Sequence, residues 1–183
     1  MKKWIALALS AVMLMACTAC GKKDEKMYDF ELSKYVTLGT YKGVEVSKTD
    51  IEKSVADTIA ADLKARGVEY KDVGTYTEES VDYPVYAKAV CDEITSGRAE
   101  LGILCCGTGI GMSIAANKQR GIRAAVLSDA FSAEMTRRHN DANVLCLGGR
   151  VIDCKKAVEL ARIFLSTPFE GGRHAKRVAM LEK

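Results

Sequence analysis

Several features that would narrow a function at once are missing from this chain. It nowhere holds the roughly 20 consecutive apolar residues that a membrane-spanning helix needs; its apolar run from Trp4 to Ala16 is shorter. It has two histidines, His139 and His174, and seven cysteines, in no spacing that resembles a zinc site, so no metal is expected. No internal repeat is evident. The two prolines, Pro84 and Pro168, sit where helices begin or the chain turns. The net charge is only +3 and the basic residues are dispersed, with one locally basic stretch, "GGRHAKRV", near the C-terminus; a nucleic-acid partner is not indicated. What remains is a chain of 183 residues, 48% hydrophobic, able to bury one substantial core with a small appendage but not a second full domain.

The first twenty residues stand apart. Lys2 and Lys3 precede the apolar run, the order of a secretory leader; a buried N-terminal helix is the competing reading. The end of this stretch, "LMACTACGKKDEK", resembles a bacterial lipoprotein signal. The resemblance makes Cys20 the lipidated new N-terminus, with Cys17 as its rival, and residues 21–27 a charged tether. It implies export and attachment to a membrane through the lipid alone. Beyond it, "YVTLGTYKGVEVS" alternates like an exposed strand. Thr49 and Glu52 then form a capping box, and Ile51, Val55, Ile59 and Leu63 recur at helical spacing until Gly67. Residues 35–57 are similar to segments of lipoproteins related to the trigger-factor chaperone, which implies a peptide-binding or prolyl-isomerase relative.

From Gly67 onward short strands and helices alternate, the pattern of a parallel sheet covered by helices on both faces. "GILCC" and "AAVL" are continuously apolar, as strands covered on both sides must be. Helices are expected around 82–96, in "GMSIAANKQ" and "DAFSAEMTRRHN", and from Asp153 onward. The fold class is therefore α/β, a three-layer doubly wound parallel sheet of Rossmann-like type. In such a sheet ligands lie beyond the carboxyl ends of the strands. Cys106 is the last strand residue before the turn "GTGIG", and a thiol at a helix N-terminus has its thiolate stabilised, which suits a nucleophile or a proton-abstracting base. Strand alternation points Cys105 to the other face, while Cys91, Cys146 and Cys154 read as packing residues.

"ILCCGTGIGMSIAANK", "RRHNDANVLCLGGRVI", "FEGGRHAKRV" and the earlier "GVEYKDVGTYTEESVDYPVYA" resemble the ribose-5-phosphate isomerase B family, which includes galactose-6-phosphate isomerase subunits. The likeness covers residues 66–183, about two thirds of the chain. It implies aldose–ketose isomerisation of a phosphorylated pentose or hexose, most simply ribose 5-phosphate to ribulose 5-phosphate, with no cofactor, in the cytoplasm. It implies that Cys106 is the base and His139 the acid that opens the sugar ring. The backbone of Gly107, Thr108, Gly109, Ile110 and Gly111 would hold the enediolate, and Asn140 a hydroxyl; Arg150, Arg173 and Arg177 would bind substrate, the last two its phosphate. It also implies a homodimer or dimer of dimers whose sites are shared between subunits.

The family begins with a buried strand ending in Asp-His-Ala-Gly, and this chain has no such tetrapeptide. The strand is expected near residues 42–47, where "KGVEVS" alternates instead of being apolar throughout, and the motif near 49–52, where "TDIE" offers only Asp50. Several unpaired cysteines suit a reducing compartment, whereas the leader points outside. The reading is a composite chain: a signal peptide over 1–20, a poorly packed tether and strand–helix extension over 21–65, and an isomerase domain over 66–183. Its function is then either that isomerisation or, as the alternative, a catalytically inactive lipoprotein that binds a phosphorylated ligand; a chaperone-like peptide binder stands third.

Overall fold

The computed structural model describes residues 5–9, 51–75 and 81–182. Expectations placed on residues 10–50, among them lipidation at Cys20, the tether, the strand reading of 35–47, Thr49 and Asp50, lie outside these. Five strands, β1 (Ile5–Leu9), β2 (Tyr70–Asp72), β3 (Leu101–Cys106), β4 (Ala124–Val126) and β5 (Val144–Gly148), form one parallel sheet in the order β2-β1-β3-β5-β4. Six helices accompany them: α1 (Ile51–Ala65), α2 (Tyr83–Thr95), α3 (Ile110–Ala116), α4 (Ala130–Asn140), α5 (Cys154–Ser166) and α6 (Arg173–Leu181).

The helix starts follow from local chemistry. Pro84 occupies the first turn of α2, where its missing N–H costs nothing. Asp129 and Asp153 cap α4 and α5 by accepting from Ser132 N at 2.8 Å and Lys156 N at 2.6 Å. Two apolar cores lie on opposite faces of the sheet, which gives the three layers. One joins α1 and α5 to Ile103, Cys105, Leu145 and Leu147; the other joins α2 and α3 to Leu104, Cys106, Val144 and Cys146. Adjacent thiols thus face opposite layers, as the period of two requires.

Two findings revise the expected N-terminal half. The slot between β2 and β3 is filled by "IALAL" of the leader's apolar run, in register with Tyr70–Asp72 on one side and Leu101–Cys105 on the other. Those five residues are continuously apolar, as a central parallel strand must be. The segment expected there, residues 42–47, is outside the described part. Helix α1, expected within a poorly packed extension, is instead core: Val55, Ala56, Ile59 and Leu63 are at most 1% exposed and pack with Ile103, Leu145 and Phe164. Each of the three larger side chains contributes roughly 1.5–3 kcal/mol of burial. Arg162 of α5 pairs with Asp62 of α1 and, through that hydrogen bond, holds its carboxyl below the ordinary value. Among the described residues no helix is long and apolar enough to cross a membrane.

Candidate active site

Cys106 ends β3 at the carboxyl edge of the sheet, and the chain leaves through Gly107, Thr108 and Gly109 into α3. The turn closes back on the thiol: Gly109 N–H donates to Cys106 Sγ at 3.1 Å. That donor suits a thiolate, since charge-assisted hydrogen bonds are the strong ones. The turn is fixed from the neighbouring strand as well. Gly149 N donates to Cys106 O at 2.8 Å and Arg150 N to Gly107 O at 3.0 Å, so the exit of β5 grips the exit of β3.

Two glycines are required by this close approach. Gly109 sits at φ 78, and a Cβ there would meet Leu147 C at 3.1 Å; a Cβ on Gly148 would lie 2.7 Å from Thr108 C. Tyr83, at the start of α2, lays its ring over Gly111, where a Cβ would come within 2.8 Å of the ring. The tyrosine stands in the quoted family-like stretch, but nothing in its spacing marks it as a neighbour of the turn.

The other cysteines differ from Cys106 in their surroundings. Burial pushes the Cys105 and Cys146 thiols far up, and the Cys91 thiol up to about 11, so all three stay protonated near neutrality.

The remaining implied site residues gather elsewhere. Helix α4 runs back along the sheet, and its end, with His139 and Asn140, lies at the opposite edge. There Gly102 N donates to Asn143 O at 2.9 Å and Asn143 N to Arg123 O at 3.0 Å, tying the turn after α4 to the starts of β3 and β4. The six residues of β3 separate the two edges by about 17 Å. Cys106, residues 107–111 and Arg150 therefore lie at one edge of the sheet, and His139, Asn140, Arg173 and Arg177 at the other; within one chain the expected site residues fall into two separate groups.

In the second group the His139 and His174 rings stack, with centroids 4.3 Å apart and planes 9° apart. Glu170 Oε2 lies 3.9 Å from His139 Nε2 and 3.8 Å from His174 Nε2, and Arg138 Nη1 donates to Glu170 Oε1 at 3.0 Å. Arg173 Nε approaches His174 Nε2 at 3.5 Å, and Arg177 follows one turn later on the same face of α6. Burial, then the neighbouring His139 and Arg173, hold His174 below its ordinary value. Sequence spacing gave no metal set, yet His139, Glu170 and His174 converge in the fold with ligand atoms within 4.8 Å of one another. The charge around them opposes a divalent cation: Arg138 bonds the Glu170 carboxylate, and Arg173 and Arg177 bear on His174. Near-parallel imidazoles also point their lone pairs side by side instead of at one centre. The surrounding cations suit an anion better than a metal ion. Arg138, Glu170 and His174 were missed as site residues because only the fold assembles them.

Residues 44–181 match the model of a family described as Ribose/Galactose Isomerase. The chain is 49% identical over 120 residues to ribose-5-phosphate isomerase B of Escherichia coli, covering 66% of this chain and 80% of that one. It is 52% identical over 115 residues to a putative sugar phosphate isomerase of Bacillus subtilis, covering 62% and 77%. Among solved structures, a ribose 5-phosphate isomerase of Thermotoga maritima superposes with a TM-score of 0.73 at 38% identity, covering 98% of this chain and 97% of that one. The Mycoplasma genitalium ribose-5-phosphate isomerase B, solved with bound ribulose-5-phosphate, gives 0.71 at 26% identity, covering 99% and 93%. The family match begins before the stretch whose motifs carry the likeness, in keeping with α1 being part of the core. Matched by the family model over three quarters of its length and similar in fold to solved isomerases, this chain belongs to the ribose/galactose isomerase family of enzymes.

Proposed function

We propose that this protein interconverts ribose 5-phosphate and ribulose 5-phosphate through an enediolate, in a homodimer whose sites each take one half from either subunit. The observation that carries the reading is the Cys106 thiol at the carboxyl edge of the sheet, with the Gly109 N–H directed at its sulfur. Sharing is supported by the separation of the two groups, and by apolar side chains left exposed around the Cys106 end: Val85, Ile110, Ile114 and Phe131.

The steps follow from the chemistry. His139 of one subunit gives a proton to the ring oxygen as the ring C1–O bond breaks and the anomeric hydroxyl releases its proton to water. The Cys106 thiolate of the other takes the proton from C2, and the electron pair moves to the C1 carbonyl oxygen; the proton then returns at C1 while the O2 proton passes to O1, which leaves the C2 carbonyl of the ketose. Gly109 N–H is on the sulfur and Ile110 N–H faces Thr108 Oγ1 at 3.4 Å, a long contact that an enediolate oxygen can replace; the N–H groups of Gly107, Thr108 and Gly111 complete its cradle. Arg173 and Arg177 grip the phosphate, with Arg150 and Asn140 on hydroxyls. No cofactor enters this scheme.

One observation favours a second reading, an inactive protein that binds a phosphorylated ligand. The residues that follow β1 in sequence are "SAVM", with neither acid nor imidazole where the family carries Asp-His-Ala-Gly. Isomerisation in deuterium oxide separates the two. The first reading requires one deuteron to appear on carbon during turnover by the full chain and none with Cys106→Ala; ligand binding without exchange leaves the second.

A further inference from the structure

The cluster at the end of α4 already contains an anion. Glu170 places one carboxylate oxygen on Arg138 and the other within 4 Å of both imidazoles, where Arg173 reaches His174 at 3.5 Å and Arg177 adds its charge. We propose that Glu170 is a resident anion that holds the place of the substrate's phosphate and must be displaced by it, making Glu170 a determinant of affinity and of selectivity for dianionic esters. This rests on the reading of Arg173 and Arg177 as a phosphate grip.

The geometry permits the exchange. Glu170 is anchored through its backbone, its N–H donating to Arg138 O at 3.1 Å, while its side chain is 41% exposed and can swing into solvent. Arg138 keeps a second partner, Glu134, at 2.8 Å, so it is not left unpaired when Glu170 withdraws. Behind Glu170, Gly171 and Gly172 adopt φ 67 and φ 55 with nothing within 4 Å of either Cβ position, and start α6 so that Arg173 faces the same ground.

Electrostatics then sets the selectivity. Exchanging a carboxylate of charge −1 for a phosphate of charge −2 gains attraction from every surrounding cation. Exchanging it for a monoanion gains none, and for a neutral sugar loses some. With Glu170→Gln the shape stays and the competitor's charge goes, so phosphate binding should tighten roughly three- to ten-fold at low salt, less as salt rises.

The test is the dissociation constant of inorganic phosphate, measured calorimetrically on the full-length wild type, Glu170→Gln and Arg177→Ala, with thermal unfolding to show that each is folded. Tighter binding by Glu170→Gln and weaker binding by Arg177→Ala is the expected result. Unchanged or weaker binding by Glu170→Gln, with Arg177→Ala still weakened, overturns the displacement role and makes the carboxylate a support for Arg138. Phosphate binding indifferent to Arg177→Ala overturns the phosphate grip itself, and the inference with it.

Discussion

Deleting residues 1–20 removes β1, the interior strand that links β2 to β3. β1 lies in register with three residues of β2 and five of β3, eight positions in all, and no other described strand joins β2 to the rest. At about 1 kcal/mol net per backbone hydrogen bond, roughly 8 kcal/mol goes with it, set against a total domain stability of about 5–15 kcal/mol. The loss also uncovers the edge of β3, whose Ile103 and Leu104 are fully buried. A chain beginning at Gly21 should therefore lose cooperative unfolding by circular dichroism, or melt tens of degrees lower and aggregate through the exposed edge. Adding a peptide of residues 1–20 should restore part of the transition. A Gly21 chain that melts within a few degrees of the full one would refute the reasoning and return the apolar run to the role of a dispensable leader. The consequence for export is direct: processing ahead of Cys20 would cut away β1, so an exported, lipidated chain and this five-stranded sheet are alternative fates.

Other expectations are narrower. Gly148→Ala sets a Cβ 2.7 Å from Thr108 C, so it should displace the Cys106 turn, cost about 1–3 kcal/mol in urea unfolding and lower kcat; an unchanged kcat would separate the turn from catalysis. Arg177→Ala should raise KM for the sugar phosphate at least ten-fold with a smaller change in kcat, read by steady-state kinetics. Glu93, bonded by Arg98 and Lys71, has its carboxyl pulled down to about 2. Its folded value lies below the unfolded one, so its contribution is present at neutral pH and lost as pH falls. Glu93→Gln should be less stable than wild type at pH 7, and the difference should fade between about pH 4.5 and about pH 2.

The parallel sheet was legible because "GILCC", "AAVL" and "VLCLGG" are apolar enough to be buried on both faces, and the Cys106 turn because a thiol and three glycines stand together in sequence. β1 was not. A short continuous apolar run has the same pattern in a leader and in a buried strand, and only its fit between β2 and β3 decides. The helix of residues 51–65 was placed correctly from its four-residue spacing, but spacing alone does not say what its buried stripe packs against. The cluster around His139 was not legible as a cluster, since the family likeness names its residues one by one. Arg138 and Glu170 are 32 residues apart and meet only because α6 packs on α4. Tyr83 reaches Gly111 by the same kind of long-range packing.

The proposed isomerase site takes Cys106 from one subunit and the His139 cluster from another. Subunit mixing tests this: Cys106→Ala and His139→Ala chains, each expected to be inactive on ribose 5-phosphate alone, are unfolded together, refolded and assayed. Half of the dimers are then mixed, and each mixed dimer holds one site with both residues intact, so activity should return to about a quarter of wild type. A refolded mixture as inactive as its parents, beside an active wild type treated in the same way, would contradict the shared site.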